Sequence, residues 1–476
     1  MKRTFVQRSL AAGAALLLGL SAAGCAGGSG GSSTTPNTPG GSAVSTPSGN
    51  PADLMSIEMP TADLSGSSKV LKVFGWSTMT ENNTDGQAAE YFQKEYGVKI
   101  EDTVSTHDNY WSDLARMVSA GTAPDVVDLS ESKFFPLPVA NGLLDPWDEL
   151  IDFSSPLWAD TQDATNANKW KDKIYFPIIN EFVKTWCFYN KNMFKNYGLD
   201  GENPRSLWEK GEWTLDKMIG LSDQFIEKNK SGEVKQWGLT VQNLELLSIT
   251  GEQIVGIHNG TEIVNNFSSP KIAKVFNDTY PISQSGSGSF TMTMDACPVF
   301  EQEKCAMLIS SSTLLEETRF AHLREEDNLG FAPLPRLDDE TPQMVEMALD
   351  PGYGLITGTQ NRELAALWVN YLKWFRLGTN LCVEVPITQD TPAKVRYGLK
   401  DVMKTATLSA EDIAFINKFL ESNPQKVYTT YRSIVGNMGD LTNFKWNIFT
   451  GRTQWSAAVQ QLSPVYQAQL EKWVNG

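Results

Sequence analysis

Between Lys69 and Leu129 the apolar residues change their period four times, and this limits the chain to few folds. "KVLKVFGW", 69–76, alternates charge with Val, Leu and Phe and predicts a buried strand. Ala88, Tyr91, Phe92 and Tyr96 then recur at helical spacing, with Gly97 as the stop. "VKIEDTV" returns to strand. Asp108 reads as an N-cap for a helix carrying Trp111, Leu114, Ala115 and Val118 on one face, closed by Gly121. "PDVVDL" is a third, short apolar strand, and a helix-prone stretch follows it to Gly142. Strands joined by helices lie parallel, because each return needs a crossover, and the helices then cover the sheet.

The alternation resumes with "KTWCFYN" (184–190) as strand and "TLDKMIGLSDQFIEKN" (214–229) as a helix capped by Thr214. "QWGLTV" is a strand, "PVFEQEKCAMLIS" a helix running into a strand, and "ELAALWVNYLKWF" (363–375) an amphipathic helix. No internal repeat is visible. From Lys69 to Gly476 the body is roughly 400 residues, more than one hydrophobic core holds, so two lobes are expected.

The segment before this body is of another kind. Lys2, Arg3 and Arg8 precede an apolar run from Ser9 to Leu20, then Ser21, Ala22, Ala23, Gly24 and Cys25. A basic start and an apolar run of about 12 residues describe a signal peptide. The cysteine behind small residues resembles the lipobox of bacterial lipoproteins, although Ala22 stands where Leu is usual; the resemblance implies lipidation at Cys25 and attachment to the cell membrane. Residues 26–52 are Gly, Ser, Thr, Pro and Asn almost throughout and bury too little apolar surface to order themselves. They are expected to act as a tether with a reach of roughly 30 Å over ~27 residues.

A formal net charge of −16 argues against nucleic acid and anionic lipid as partners. The histidines at 107, 258 and 322 form no cluster with cysteines at metal-ligand spacing, so no metal site is expected. Cys297 and Cys305 could pair, but buried free thiols are the simpler reading. No Walker A loop and no His-Glu-x-x-His occurs, and "GGSGG" at 27–31 lies in the tether with no strand before it. No cofactor is indicated. Fourteen tryptophans favour a carbohydrate ligand, since sugar faces stack on aromatic planes.

Several segments, taken in order, resemble the extracellular solute-binding proteins of ATP-driven sugar importers, the group that includes maltose-binding protein. They are "FQKEYGVKI", "SAGTAPDVVDLSESKFFPLPVANGLLDPWDEL", "KIYFPIINEFVKTWCFYNKNMFKNYGLDGENP", "FEQEKCAMLISSS", "LGFAPLPR", "GYGLITGTQNRELAALWVNYLKWF" and "FTGRTQWSAAVQQL". The resemblance implies an α/β, two-lobed periplasmic-binding-protein-like (type II) fold: two mostly parallel sheets flanked by helices, with ligand in the cleft. It divides the chain into a signal peptide (1–24), an anchored linker (25–68), lobe one (69–180), lobe two (181–349), and returns to lobe one (350–395) and lobe two (396–476). Hinges are expected near 178–184, 348–352 and 390–396.

Open α/β sheets bind ligands beyond the carboxyl ends of their strands. The candidates are therefore Trp76, Ser77 and Thr78 after the first strand, and Asp128, Glu131, Lys133 and Phe134 after "PDVV". Asn180 and Glu181 lie at the first crossing, Gln242 and Asn243 after "QWGLTV", Ser311 after "CAMLIS", and Asp350 and Tyr353 at the return. Glycines on both sides of Tyr353 suggest a ring free to project as a stacking platform. Ser310, Ser311 and Ser312 replace the Gly-x-Trp usual in the family, which removes one expected aromatic. Trp446 is read as core. No residue is assigned a catalytic role.

The implied protein is a monomeric receptor that binds a carbohydrate, an oligosaccharide above all, and hands it to the transmembrane subunits of an ABC importer. Two alternatives stand beside it: a secreted carbohydrate-active lyase or hydrolase, and a receptor feeding a membrane sensor.

Overall fold

The computed structural model describes residues 57–79, 84–106, 109–129, 137–242, 245–285, 288–291, 297–312, 320–382, 410–428 and 453–475. Cys25, Lys133, Trp446 and the third expected hinge lie outside them. The first strands are β1 (Val70–Gly75), β2 (Lys99–Val104), β3 (Val126–Asp128), β4 (Leu144–Asp145) and β5 (Ile178–Val183). Next come β6 (Thr185–Asn190), β7 (Glu227–Lys228), β8 (Val234–Gln242), β9 (Val255–His258), β10 (Glu262–Asn265), β11 (Gly288–Thr291), β12 (Cys305–Ser311) and β13 (Leu329–Ala332). The last are β14 (Met344–Pro351), β15 (Tyr353–Ile356) and β16 (Gln425–Tyr428).

They form two large sheets, a small sheet between them and a hairpin. The first has the order β2-β1-β3-β15-β4 and the second β11-β8-β12-β6-β13. β1 runs parallel to β2 and β3, whereas β15 is antiparallel to β3 and β4. β8 runs parallel to β11 and β12, whereas β6 is antiparallel to β12 and β13. Each sheet is thus parallel in one half and antiparallel in the other, more mixed than the crossover pattern alone predicts. The antiparallel halves are built around β15 and β6, the strands that arrive directly from the joining sheet β16-β14-β5.

Local chemistry explains many element ends. The Thr214 hydroxyl accepts from the Lys217 amide at 3.3 Å and starts the helix Leu215–Gln224. Asn190 and Asn203 cap two other helix starts in the same way, the latter with Pro204 in the first turn. The helix Tyr110–Ser119 has Asn109 at the cap position, not Asp108, and no side-chain cap bond. Its buried residues are Tyr110 and Leu114, so the inward stripe begins one residue earlier than expected. The helix from Thr214 also ends sooner than its sequence predicts. Gln236 donates to the Phe225 carbonyl, and Glu227–Lys228 pairs with β8 as an edge strand.

The Asp125 carboxylate shows why an aspartate precedes β3. One oxygen accepts from the Lys72 amide at 2.8 Å and from the Asn361 side-chain amide at 3.2 Å. The other accepts from the Thr359 hydroxyl at 2.6 Å. One side chain therefore ties β1 to the start of the helix Arg362–Cys382, whose Trp368 and Tyr371 pack with Phe92 in the first lobe's core. Cys187, Cys297 and Cys305 are buried free thiols, as the sequence suggested, and burial pushes the Cys305 thiol up to about 12.

The joining sheet is cross-braced by charge. Lys426 of β16 pairs with Glu181 of β5 across the intervening β14. Lys184, the single residue between β5 and β6, pairs with Glu346 of β14; both are almost fully buried. Lys373 forms an ion pair with Asp160 at 2.6 Å and donates to the Ile179 carbonyl at 2.8 Å, fixing β5 to the first lobe. A second contact joins the lobes near Trp170. The amide of Lys171 donates to the Asn259 carbonyl at 2.8 Å, and the Asp172 amide donates to Asn259 Oδ1 at 2.6 Å. Asn259 Nδ2 returns a bond to Asp172 Oδ1 at 2.8 Å. Gly260, at φ +69°, lies under the Trp170 ring; a Cβ there would come within 2.6 Å of it.

Candidate functional site

Strand polarity locates the site. β1 and β3 end at Gly75 and Asp128, and antiparallel β15 starts beside them, with Tyr353 opposite Asp128. In the second sheet β8 and β12 end at Gln242 and Ser311, and β6 starts beside them, with Thr185 opposite Ser311. Tyr353 and Thr185 each follow the joining sheet by a residue or two. Both large sheets therefore turn these strand ends toward the small sheet that connects them, which is where a crevice between two α/β units forms.

On the first lobe's rim Trp76, Ser77 and Thr78 follow β1, each half-buried. Asp128 is half-buried at the end of β3, and its backbone carbonyl accepts from the buried Tyr110 hydroxyl at 2.7 Å. Trp111, in the first helical turn after β2, meets the Tyr110 ring edge-on with centroids 5.2 Å apart. It is partly exposed and packs, like Trp76, against the large core cluster. Sequence reasoning placed Trp111 only on the inward face of its helix; the signal that marks it for the rim is its place in the first turn after a strand end.

On the second lobe's rim Gln242 closes β8 opposite Thr291, and half-buried Ser311 closes β12. Ser312 donates its amide to the Lys184 carbonyl at 2.7 Å, so the serine run seals against the crossing strand. Glu245 is buried just beyond β8 and was not anticipated; its trace in the sequence is an acidic residue inside the apolar run "LELLSI". Glu131, Phe134 and Asn243 lie outside the described residues.

The crossing residues prove to be structural neighbours of one another. Asp350 sits opposite buried Asn180 in the β14–β5 ladder and forms an ion pair with Arg376, 3.6 Å away. Glu181 is buried against Lys426 and Tyr428; burial raises its carboxyl above the usual glutamate range, and these two partners offset part of that. One expectation is corrected outright. The Tyr353 ring does not project as a platform but is buried in the first lobe's core, edge-on to Trp368 at 5.8 Å, with its hydroxyl 2.9 Å from Met79 Sδ. Its flanking glycines make room for neighbours instead. A Cβ at Gly352 would meet Ile179 at 2.9 Å, and one at Gly354 would meet Leu144 and Val127 at 3.1 Å.

Two mixed sheets linked through a small third one, with their strand ends turned toward that link, match a known family. The profile of the bacterial extracellular solute-binding proteins aligns with residues 76–373, more than half of the chain. The chain belongs to this family. Solute-binding proteins of this group are extracytoplasmic receptors, not enzymes. No curated protein sequence matches the chain.

Solved solute-binding proteins share the two-lobe fold at low sequence identity. The solute-binding protein of an ABC transporter from Thermotoga lettingae, solved with α-D-tagatose, is 17% identical at a TM-score of 0.55, covering 86% of this chain and 100% of its own. The GacH receptor of Streptomyces glaucescens, solved unliganded and with acarbose, is 17% identical at a TM-score of 0.56, covering 85% and 99%. The cyclic α-maltosyl-1,6-maltose binding protein of Arthrobacter globiformis is 13% identical at a TM-score of 0.58, covering 85% and 99%. At such identities the likeness carries the fold.

Proposed function

We propose that this solute-binding protein is the lipid-anchored receptor of an ABC importer, that its ligand is an oligosaccharide, and that it delivers this ligand to the importer's transmembrane subunits. The observation that carries the ligand class is the first lobe's rim: two partly exposed indoles, Trp76 and Trp111, beside the hydroxyls of Ser77 and Thr78 and the carboxylate of Asp128. Sugars offer weakly apolar C–H faces and hydroxyl edges, which call for aromatic planes and carboxylate acceptors. Ser311 supplies a hydroxyl at the end of β12. Solved proteins of this fold carry maltotriose, maltotetraose, mannotriose and acarbose, in agreement with that class. Cys25 carries the lipid, residues 26–52 form the tether, and the chain acts as a monomer; the stretch 57–68, expected as linker, is instead packed on the first lobe, with Leu64 buried in its core and the Trp374 indole donating to the Ile57 carbonyl at 3.0 Å. Lobe one is 69–180 with a return at 350–395; lobe two is 181–349 with a return at 396–476.

A thermal-shift screen of purified protein against maltotriose, maltotetraose, mannotriose, acarbose and monosaccharides tests the ligand. A binder present at 100 times its Kd adds about 2.7 kcal/mol of stability. Turnover of a bound sugar would convert the reading to an enzyme's, and a screen in which no sugar shifts the transition would overturn it. For the anchor, Cys25→Ser is expected to leave precursor or release the protein to the medium; equal membrane retention of the variant rejects lipidation.

A further inference from the structure

We infer that Tyr110 is a positioning residue for the ligand rim: its hydroxyl holds together the ends of β1 and β3 where their own ladder stops. The inference rests on the rim reading above. β1 and β3 share only two residue pairs, Val73 with Val126 and Phe74 with Val127. Just past them the chains carry Trp76 on one side and Asp128 on the other. The Tyr110 hydroxyl lies 2.7 Å from the Asp128 carbonyl and 3.3 Å from the Phe74 carbonyl, so it reaches both strand ends at once.

The ring makes the third connection. It is fully buried, with its centroid 4.8 Å from that of Phe74 and 5.2 Å from that of Trp111. Tyr110 and Trp111 are adjacent in the first turn of their helix, so whatever fixes the Tyr110 ring fixes the base of the Trp111 indole. One side chain therefore sets the spacing of the three groups expected to meet a sugar: the plane at Trp76, the plane at Trp111 and the acceptor at Asp128. A polar hydroxyl in a fully buried aromatic site costs burial energy unless its partners are fixed. Phenylalanine would fill the same volume without that demand. The two carbonyls explain the tyrosine. They matter because one belongs to Asp128 itself and the other lies two residues before Trp76.

The test is Tyr110→Phe in the full chain, which keeps the ring and removes only the hydroxyl. Amide hydrogen exchange on the unliganded protein is the first readout. Peptides covering 73–79 and 126–129 are expected to exchange about tenfold faster than in wild type, while those within the buried helix Arg362–Cys382 keep their rate. Unchanged exchange at the rim, or equal acceleration throughout the lobe, overturns the inference. Calorimetry with maltotriose is the second readout. The variant is expected to bind about fivefold to tenfold more weakly. Thr279→Val, which removes a buried hydroxyl bond to the Val275 carbonyl in the other lobe, is expected to lose stability and keep its affinity. Equal affinity of Tyr110→Phe and wild type rejects a positioning role even if the rim loosens. If wild type does not bind maltotriose, that choice of sugar fails, and the exchange readout alone decides the inference on Tyr110.

Discussion

Glu346→Leu probes the joint. The Glu346 side chain is 1% exposed and that of its ion-pair partner Lys184 is 9% exposed. The other Glu346 oxygen accepts from the Thr185 hydroxyl at 3.2 Å, and the backbones of the two charged residues are also bonded, Lys184 N to Glu346 O at 2.8 Å. Removing the carboxylate strands an ammonium inside the protein. Breaking a buried pair in this way costs about 3–5 kcal/mol, much more than the pair itself contributes. The double variant Lys184→Met/Glu346→Leu removes both charges and fills the space with apolar atoms, so most of that loss is expected to return. The assay is urea unfolding followed by circular dichroism and by tryptophan fluorescence, with coincident transitions required before free energies are compared. The cycle should show an interaction of more than about 2 kcal/mol between the two sites. A single variant that loses less than about 1 kcal/mol, or a double variant whose loss is the sum of the two singles, refutes the idea that this charge is buried and dependent on its partner.

Three further outcomes are expected. Trp76→Ala and Asp128→Ala should each weaken sugar binding by about 1–3 kcal/mol in calorimetry and leave unliganded stability nearly unchanged, because both residues are half-buried at the rim; a large stability loss instead marks them as core. Gly260→Ala should destabilise the protein by about 1–3 kcal/mol, since its methyl group enters the Trp170 ring and the residue sits in the left-handed region; an unchanged melting temperature contradicts the packing seen there. Burial holds the Glu181 carboxyl above the ordinary glutamate range. As pH rises from that range through the raised native value, the unfolded chain gives up its proton before the native one does, so native stability falls across this window. Glu181→Gln should flatten that part of the stability–pH curve, and a curve parallel to wild type's refutes the shift.

The first three strands and their helices were legible because each is a local pattern: alternation in "KVLKVFGW", a 3.6 period in 88–96, a short apolar run at "PDVV". The joining sheet was not. β14 pairs with β16 and β5 through Met344–Gln425 and Leu349–Glu181, and nothing local in "MVEMALDP" or "QKVY" announces those partners. The hinge expectations near 178–184 and 348–352 fell on the crossing segments themselves, but these are paired, charge-braced strands. Tyr353 shows the limit of reading glycines: "GYG" says that a close approach occurs and not which atoms approach. Strand-end logic put Trp76, Asp128 and Ser311 at the ends of β1, β3 and β12, where the structure has them. Trp111 was missed because its helical period looked like core, and Glu181 was misjudged because its partner Lys426 is far along the chain.

The position of β15 has a consequence for how the protein comes into being. It fills the space between β3 and β4, and the Trp147 indole donates to its Tyr353 carbonyl at 3.0 Å across 206 residues of sequence. A chain made from its N-terminus therefore exposes β3 and β4 with a strand-wide gap between them until the whole second sheet has been synthesised. At about 5–20 residues per second that interval is about 10–40 s. During it the first sheet lacks the strand that joins β3 to β4, and the helix Arg362–Cys382 that covers its core does not yet exist. At that stage the nascent chain lacks the contacts that complete its first sheet and cover its core. The order of strands in the finished sheet thus acts as a delay on folding, written into the connectivity and not into any single interaction.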